Sequence, residues 1–248
     1  MCRPFVTNTD VDTKATRDRD DPYAAYRDDD EARFYRLMHR LFSEELIAIM
    51  DVLGDPPDLN NLDSDFWASR EGAFRAGVIP LLHGLALRGT EALAPIKADP
   101  IPILWDEAVI SEEALAWART YGYDLIRQLE ERTRKVVQEQ VALFLETPGG
   151  SIGQLRSQLL PDFGPRRAQT IAVTETTRAY SEGMTLVHQQ AIRAGIQMDR
   201  IWQTANDEKV CPICGPNHGK AEREWMQVGG PPPAHPNCRC WVTLEVGQ

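Results

Sequence analysis

The sequence predicts a mainly α fold, with long amphipathic helices followed by a small zinc-stapled α+β C-terminal region. Three observations carry this. Apolar residues recur at three- and four-residue steps from Phe34 to about Gly195. Beyond Gly195 that rhythm stops, and two short β-like runs enclose a stretch rich in Gly, Pro and Asn. Four of the five cysteines, Cys211, Cys214, Cys238 and Cys240, fall in that stretch together with His235.

The first helix is expected from Phe34, through Leu37, Met38, Leu41, Phe42, Leu46, Ile49 and Met50 to Leu53. Gly54 and the Asp55-Pro56-Pro57 breaker should stop it. A second, with Ser64 or Asp65 as its N-cap, shows Trp67, Phe74, Val78, Leu81, Leu82 and Leu85. Pro80 should kink or split it. Ser111 opens the longest helix, whose stripe runs from Leu115 to Phe144 and Leu145 and ends at Pro148-Gly149-Gly150. Ser151 and Gln154 have capping-box spacing for a short helix to Leu160. Pro165 suits the first turn of another, ending near Gly195. Ile201–Thr204 and Trp241–Val246 are the β-like runs.

Composition bounds the function. The chain has 248 residues, of which 42% are hydrophobic, enough for one large or two smaller cores. Residues 1–31, with the run Asp28-Asp29-Asp30-Glu31, are expected to be a disordered acidic tail, because they bury too little apolar surface to offset ordering entropy. Residues 32–110 form the expected N-terminal helical region and 111–248 the second domain. No apolar run reaches the roughly 18 residues of a membrane span, and no secretory h-region is seen, so a cytoplasmic address is expected. Net charge is −10, yet residues 165–248 carry 9 basic and 8 acidic side chains. A basic stripe for gripping nucleic acid is not visible.

The C-terminal constellation is Cys211-Pro212-Ile213-Cys214, then His218, then His235-Pro236-Asn237-Cys238-Arg239-Cys240. Cys-x-x-Cys places two thiolates on one knuckle, each able to reach a tetrahedral ion at about 2.3 Å. The second cluster supplies the remaining ligands and closes a loop poor in apolar residues, so binding free energy becomes folding free energy. Reduced thiols and a disulfide are the alternatives. Cys211, Cys214, His235, Cys238 and Cys240 outnumber the four positions of a structural zinc, and His218 ranks last. Four protein ligands leave no open position, so the role expected is structural. A zinc deaminase would need His-x-Glu before Pro-Cys-x-x-Cys, but His188 is followed by two glutamines. A zinc-dependent, nuclease-like enzyme is the competing class, on the faint signal of Asn217-His218.

The chain also resembles the head morphogenesis (minor head protein) family of tailed phages, the Mu F-like proteins. Thr174-Glu175-Thr176-Thr177-Arg178-Ala179, Gly183, Ala194-Gly195 and Trp202-Gln203-Thr204-Ala205-Asn206-Asp207 carry the likeness. It continues through Val210–Cys214 and Gly219 to Pro233-Ala234-His235-Pro236-Asn237-Cys238-Arg239-Cys240, about residues 125–246 in all. The triple proline Pro231-Pro232-Pro233 departs from the pattern. The resemblance implies a minor capsid component of a phage or prophage, found in the virion and in host cytoplasm during assembly. Its partners would be the portal protein and/or major capsid or scaffold proteins, with possible DNA contact and a role in packaging or ejection. It implies no enzymatic activity, membrane or small-molecule substrate. Glu175 and Arg178 read as an exposed i,i+3 pair, and Trp202 as a core anchor under the zinc loop.

Overall fold

A computed structural model describes residues 21–91, 106–147, 149–205, 207–208, 210–226 and 228–246. Five α-helices lead to a two-stranded antiparallel sheet among these residues. They are α1 (Arg27–Leu53), α2 (Ser64–Glu91), α3 (Glu107–Glu146), α4 (Ile152–Leu159) and α5 (Pro165–Arg193). β1 (Met198–Gln203) pairs with β2 (Trp241–Val246), Met198 opposite Val246 and Gln203 opposite Trp241. No helix among the described residues is long and apolar enough to cross a membrane.

The stop signals act where the sequence placed them, as do the starts of α4 and α5, whereas α1, α2 and α3 begin earlier. Gly54 ends α1 at φ 80° and Gly195 ends α5 at φ 83°, conformations open to glycine because it lacks Cβ. At the end of α5 the Ile196 N–H reaches back to the Ala191 carbonyl at 3.0 Å, the six-to-one bond of a Schellman motif. Ser151 and Gln154 form the complete capping box of α4. The cap of α2, however, is Asp63, whose carboxylate accepts the Phe66 N–H at 2.8 Å. α3 starts at Glu107 rather than Ser111, because Asp106 accepts the Ala108 and Val109 N–H groups, each at 3.1 Å. Pro80 does not split α2, which runs continuously through it. Leu145, read as part of the α3 stripe, is exposed.

The chain forms two compact units, each built from separate stretches. One comprises Glu31–His83 with Leu115–Ala172; the other joins the described parts of Met1–Asp30, Gly84–Ala114 and Val173–Gln248. These differ from the 32–110 and 111–248 division read from sequence, because α1, α2, α3 and α5 each contribute residues to both units. The expected acidic tail also needs correction: residues 1–20 and Cys2 lie outside the described residues, but residues 21–30 are folded. Tyr23 is fully buried and stacks on Tyr180 at 4.3 Å. The Asp21 carboxylate accepts from the Arg27 guanidinium at 2.8 Å, and Tyr180 donates to Asp30 at 2.6 Å. Two aromatic rings and these charge-assisted bonds offset the ordering cost that composition alone left uncovered.

In the Glu31–His83 and Leu115–Ala172 unit, Phe34, Met38, Phe42, Ile49, Phe74, Leu82 and Ile126 are buried, as are the carboxylates of Glu31 and Glu45. Arg167 lies over the Phe42 ring and donates to the Leu129 carbonyl at 3.0 Å. Burial pushes the Glu45 carboxyl up to about 7, against the opposing pull of Arg167 and Arg70 and with added repulsion from Glu130. In the other unit, α2 and α5 meet through small residues. A Cβ on Gly183 would lie 2.2 Å from the Ala86 carbonyl oxygen, and one on Gly89 would lie 2.6 Å from that of Tyr180.

Two outcomes follow from these contacts. G183A is expected to destabilise by about 1–3 kcal/mol, seen as a lowered melting temperature, because backbone cannot yield as a side-chain tip does. For Glu45, the unfolded chain releases its proton near the ordinary value of about 4.5 and the folded chain near 7. Stability therefore falls as pH rises through that window and levels off above it. E45Q should flatten this slope and stabilise at pH 8 by about 1–3 kcal/mol, measured by urea unfolding across pH.

Candidate metal centre

β1 and β2 form the frame, and the segment between them folds onto one face of Trp202. On its second edge β1 is joined by the chain at Gly219–Ala221: Gly219 N–H donates to the Trp202 carbonyl at 2.8 Å, and Trp202 N–H to the Lys220 carbonyl at 3.0 Å. The sequence reading of Trp202 as a core anchor holds. It is fully buried and packs with Cys214, Cys238 and Cys240, while Trp225 meets it edge-on at 5.3 Å.

The first knuckle is a tight turn in which the Cys214 and Gly215 N–H groups donate to the Cys211 carbonyl at 3.1 and 2.9 Å. The Cys214 N–H also lies 3.4 Å from Cys211 Sγ, the amide-to-sulfur contact that favours a thiolate. The second knuckle closes from the Cys238 N–H to the His235 carbonyl at 3.2 Å, with Asn237 at φ 61°. The turn residues Gly, Pro and Asn between them account for this local geometry.

Donor atoms from both knuckles converge. Cys211 Sγ lies 3.0 Å from His235 Nε2, Cys214 Sγ lies 3.3 Å from the same nitrogen, and the Cys214 and Cys238 sulfurs are 3.8 Å apart. Two thiolates bound at about 2.3 Å to one tetrahedral ion stand about 3.8 Å from each other, so this spacing suits a shared metal. It is a non-bonded distance, far from the roughly 2.05 Å of a disulfide. The donors form two triplets, Cys211–Cys214–His235 and Cys214–Cys238–Cys240, with Cys214 common to both. Cys214, Cys238 and Cys240 are buried, whereas Cys211 and His235 are partly accessible. The cluster can hold a metal ion.

Its electrostatics point the same way. Hydrogen bonds from Cys214 and Cys240 hold the Cys238 thiol well below its ordinary range, against the effect of burial. Cys214, donating to Cys238 and Cys240 and buried besides, is pushed up. Contact with Cys238 raises His235 to about 10, against its own burial and with help from the Pro236 carbonyl. Against the opposing bond from Cys214, its bond to Cys238 and its burial push Cys240 up as well, so among the buried thiols the thiolate is favoured at Cys238.

His218, the lowest-ranked candidate, belongs to neither triplet. Its Nδ1 accepts the Thr204 N–H at 3.1 Å. Glu175 and Arg178 do pair, at 3.3 Å, but the Glu175 side chain is buried, so the expectation of an exposed pair is corrected. Asn217 has a role that sequence reasoning missed. Fully buried, it donates to the Ile213 and Met226 carbonyls, each at 3.0 Å, and accepts the Met226 N–H at 2.6 Å. No spacing rule distinguishes it from any other loop asparagine.

The profile of the "Phage Mu protein F like protein" family matches residues 123–243, a span containing more than half of α3, all of α4, α5 and β1, the first half of β2 and every donor of the cluster. Over residues 123–243, just under half of its length, the chain is similar to the phage Mu F-like family. That is a head-morphogenesis family, and the likeness supports a phage head-related protein. No curated protein and no solved structure matches the chain.

Because Cys214 serves both triplets, C214S is expected to remove bound divalent metal and lower the melting temperature more than C211S does. Metal content by atomic emission and thermal melts of both variants check this ranking. Equal effects would contradict it.

Proposed function

We propose that this Mu F-like chain is a minor head protein of a tailed phage or prophage, acting in head assembly with the portal and aiding DNA packaging or ejection. The observation that carries this is the family match over residues 123–243, which takes in the whole Cys/His cluster. The portal protein, and beside it the major capsid or scaffold protein, are the partners this reading assigns; direct DNA contact belongs to the packaging role.

In the same reading the cluster holds a structural zinc through four of Cys211, Cys214, His235, Cys238 and Cys240. Thiolate and imidazole donors select zinc over harder cations, and four protein ligands leave no position for a hydrolytic water. The ion would act by joining the two knuckles between β1 and β2, not by chemistry on a substrate. His218, engaged by Thr204, gives the nuclease-like alternative no support.

The test is quantitative mass spectrometry of procapsids and mature heads from the source phage. The expected result is a few copies per procapsid, lost when the portal gene is deleted, with retention in mature heads marking the packaging or ejection role. Absence from both particles would overturn the assignment.

A further inference from the structure

The second knuckle contains one peptide group held at both ends. The turn His235-Pro236-Asn237-Cys238 has its closing bond from the Cys238 N–H to the His235 carbonyl, and Asn237 is the non-glycine residue with positive φ among those described. Positive φ at the third position alone, after a proline, defines a type II turn. In this turn the central peptide, Pro236–Asn237, is flipped by about 180° relative to type I. Its carbonyl faces back to the His235 ring, with Nδ1 at 2.9 Å from the Pro236 oxygen. A carbonyl only accepts, so Nδ1 carries a proton, and in the neutral ring that a metal would take up the lone pair is on Nε2. Nε2 is the atom that faces Cys211 at 3.0 Å and Cys214 at 3.3 Å.

The other end of that peptide leaves the loop. Asn237 N–H donates to the Thr174 hydroxyl oxygen on α5 at 2.9 Å, across 63 residues of sequence. We infer that Thr174 positions the metal centre: its hydroxyl fixes the plane of the Pro236–Asn237 peptide, which in turn fixes the tautomer and direction of the His235 ring. The inference rests on the reading of the cluster as a metal site. It gives a physical role to the first residue of the Thr174–Ala179 run, which neither the core nor the cluster itself explains. Ligating histidines commonly depend on such a partner at the second ring nitrogen, and here the partner is itself held by a residue of a helix.

The experiment compares zinc affinity of the full chain as wild type, T174V and T174S by competition with a chromogenic chelator, alongside long-range ¹⁵N correlation spectra of the zinc-loaded His235 ring. T174V keeps the shape and loses the acceptor; it is expected to bind zinc about 10-fold or more weakly. T174S restores the oxygen and should return to within about threefold of wild type. The wild-type ring should show a protonated Nδ1 and a zinc-bound Nε2. Equal affinity of T174V and wild type, or a zinc-bound Nδ1, would overturn the role of Thr174 while leaving the metal site standing. A wild-type chain that takes up no zinc would instead overturn the metal reading, and the role of Thr174 with it. Should T174V not fold, the wild-type ring spectrum decides alone.

Discussion

Closure of the segment between β1 and β2 depends on a few donor atoms meeting around Cys214. That segment contains much Gly, Pro and Asn and little apolar surface, so packing alone does not hold it against its conformational entropy. Trp202 supplies an apolar floor, and Asn217 ties the Ile213 and Met226 backbone together. Those contacts bring two knuckles within reach of each other. They leave Cys238, the buried thiol held low, at the meeting point, and a bound cation would neutralise its thiolate.

The knuckle at His235 shows how far such a site extends beyond its donors. A type II turn directs one carbonyl at the imidazole and one N–H at Thr174, so ring orientation is linked to a helix begun at Pro165. The same helix carries Gly183, whose missing side chain lets its backbone approach Ala86 and Gly89, and Tyr180, which stacks on Tyr23. Small residues and stacked rings in this unit therefore set the helix on which the turn depends.

The other unit shows a different balance. Its apolar face encloses Glu45, whose carboxyl is raised to about 7 by desolvation despite two nearby arginines. A buried acid of this kind makes the unit's stability respond to pH near neutrality. The Cys/His cluster and this carboxylate are two separate places where polar chemistry is retained inside the protein at an energetic cost.

Much of this was legible in one dimension. Apolar spacing marked the helices; Gly54, Gly195 and the Ser151–Gln154 box marked their ends. The Cys-x-x-Cys knuckle and the His235–Cys240 cluster marked the candidate metal centre, because these signals are local and a few neighbouring residues suffice to produce them. Caps at Asp63 and Asp106 were displaced from the expected Ser64 or Asp65 and Ser111, since several acids and serines compete at each helix start and only the folded backbone selects one. The folding of residues 21–30 was hidden in an acidic run, because the stabilising partner of Tyr23 is 157 positions away at Tyr180. The sequence by itself determined which helices form and which side chains carry metal-binding chemistry. Only the tertiary structure decided that Cys214 joins both donor triplets, that His218 stands outside them and that Thr174 faces Asn237, because each is a meeting of residues whose separation along the chain carries no local signal.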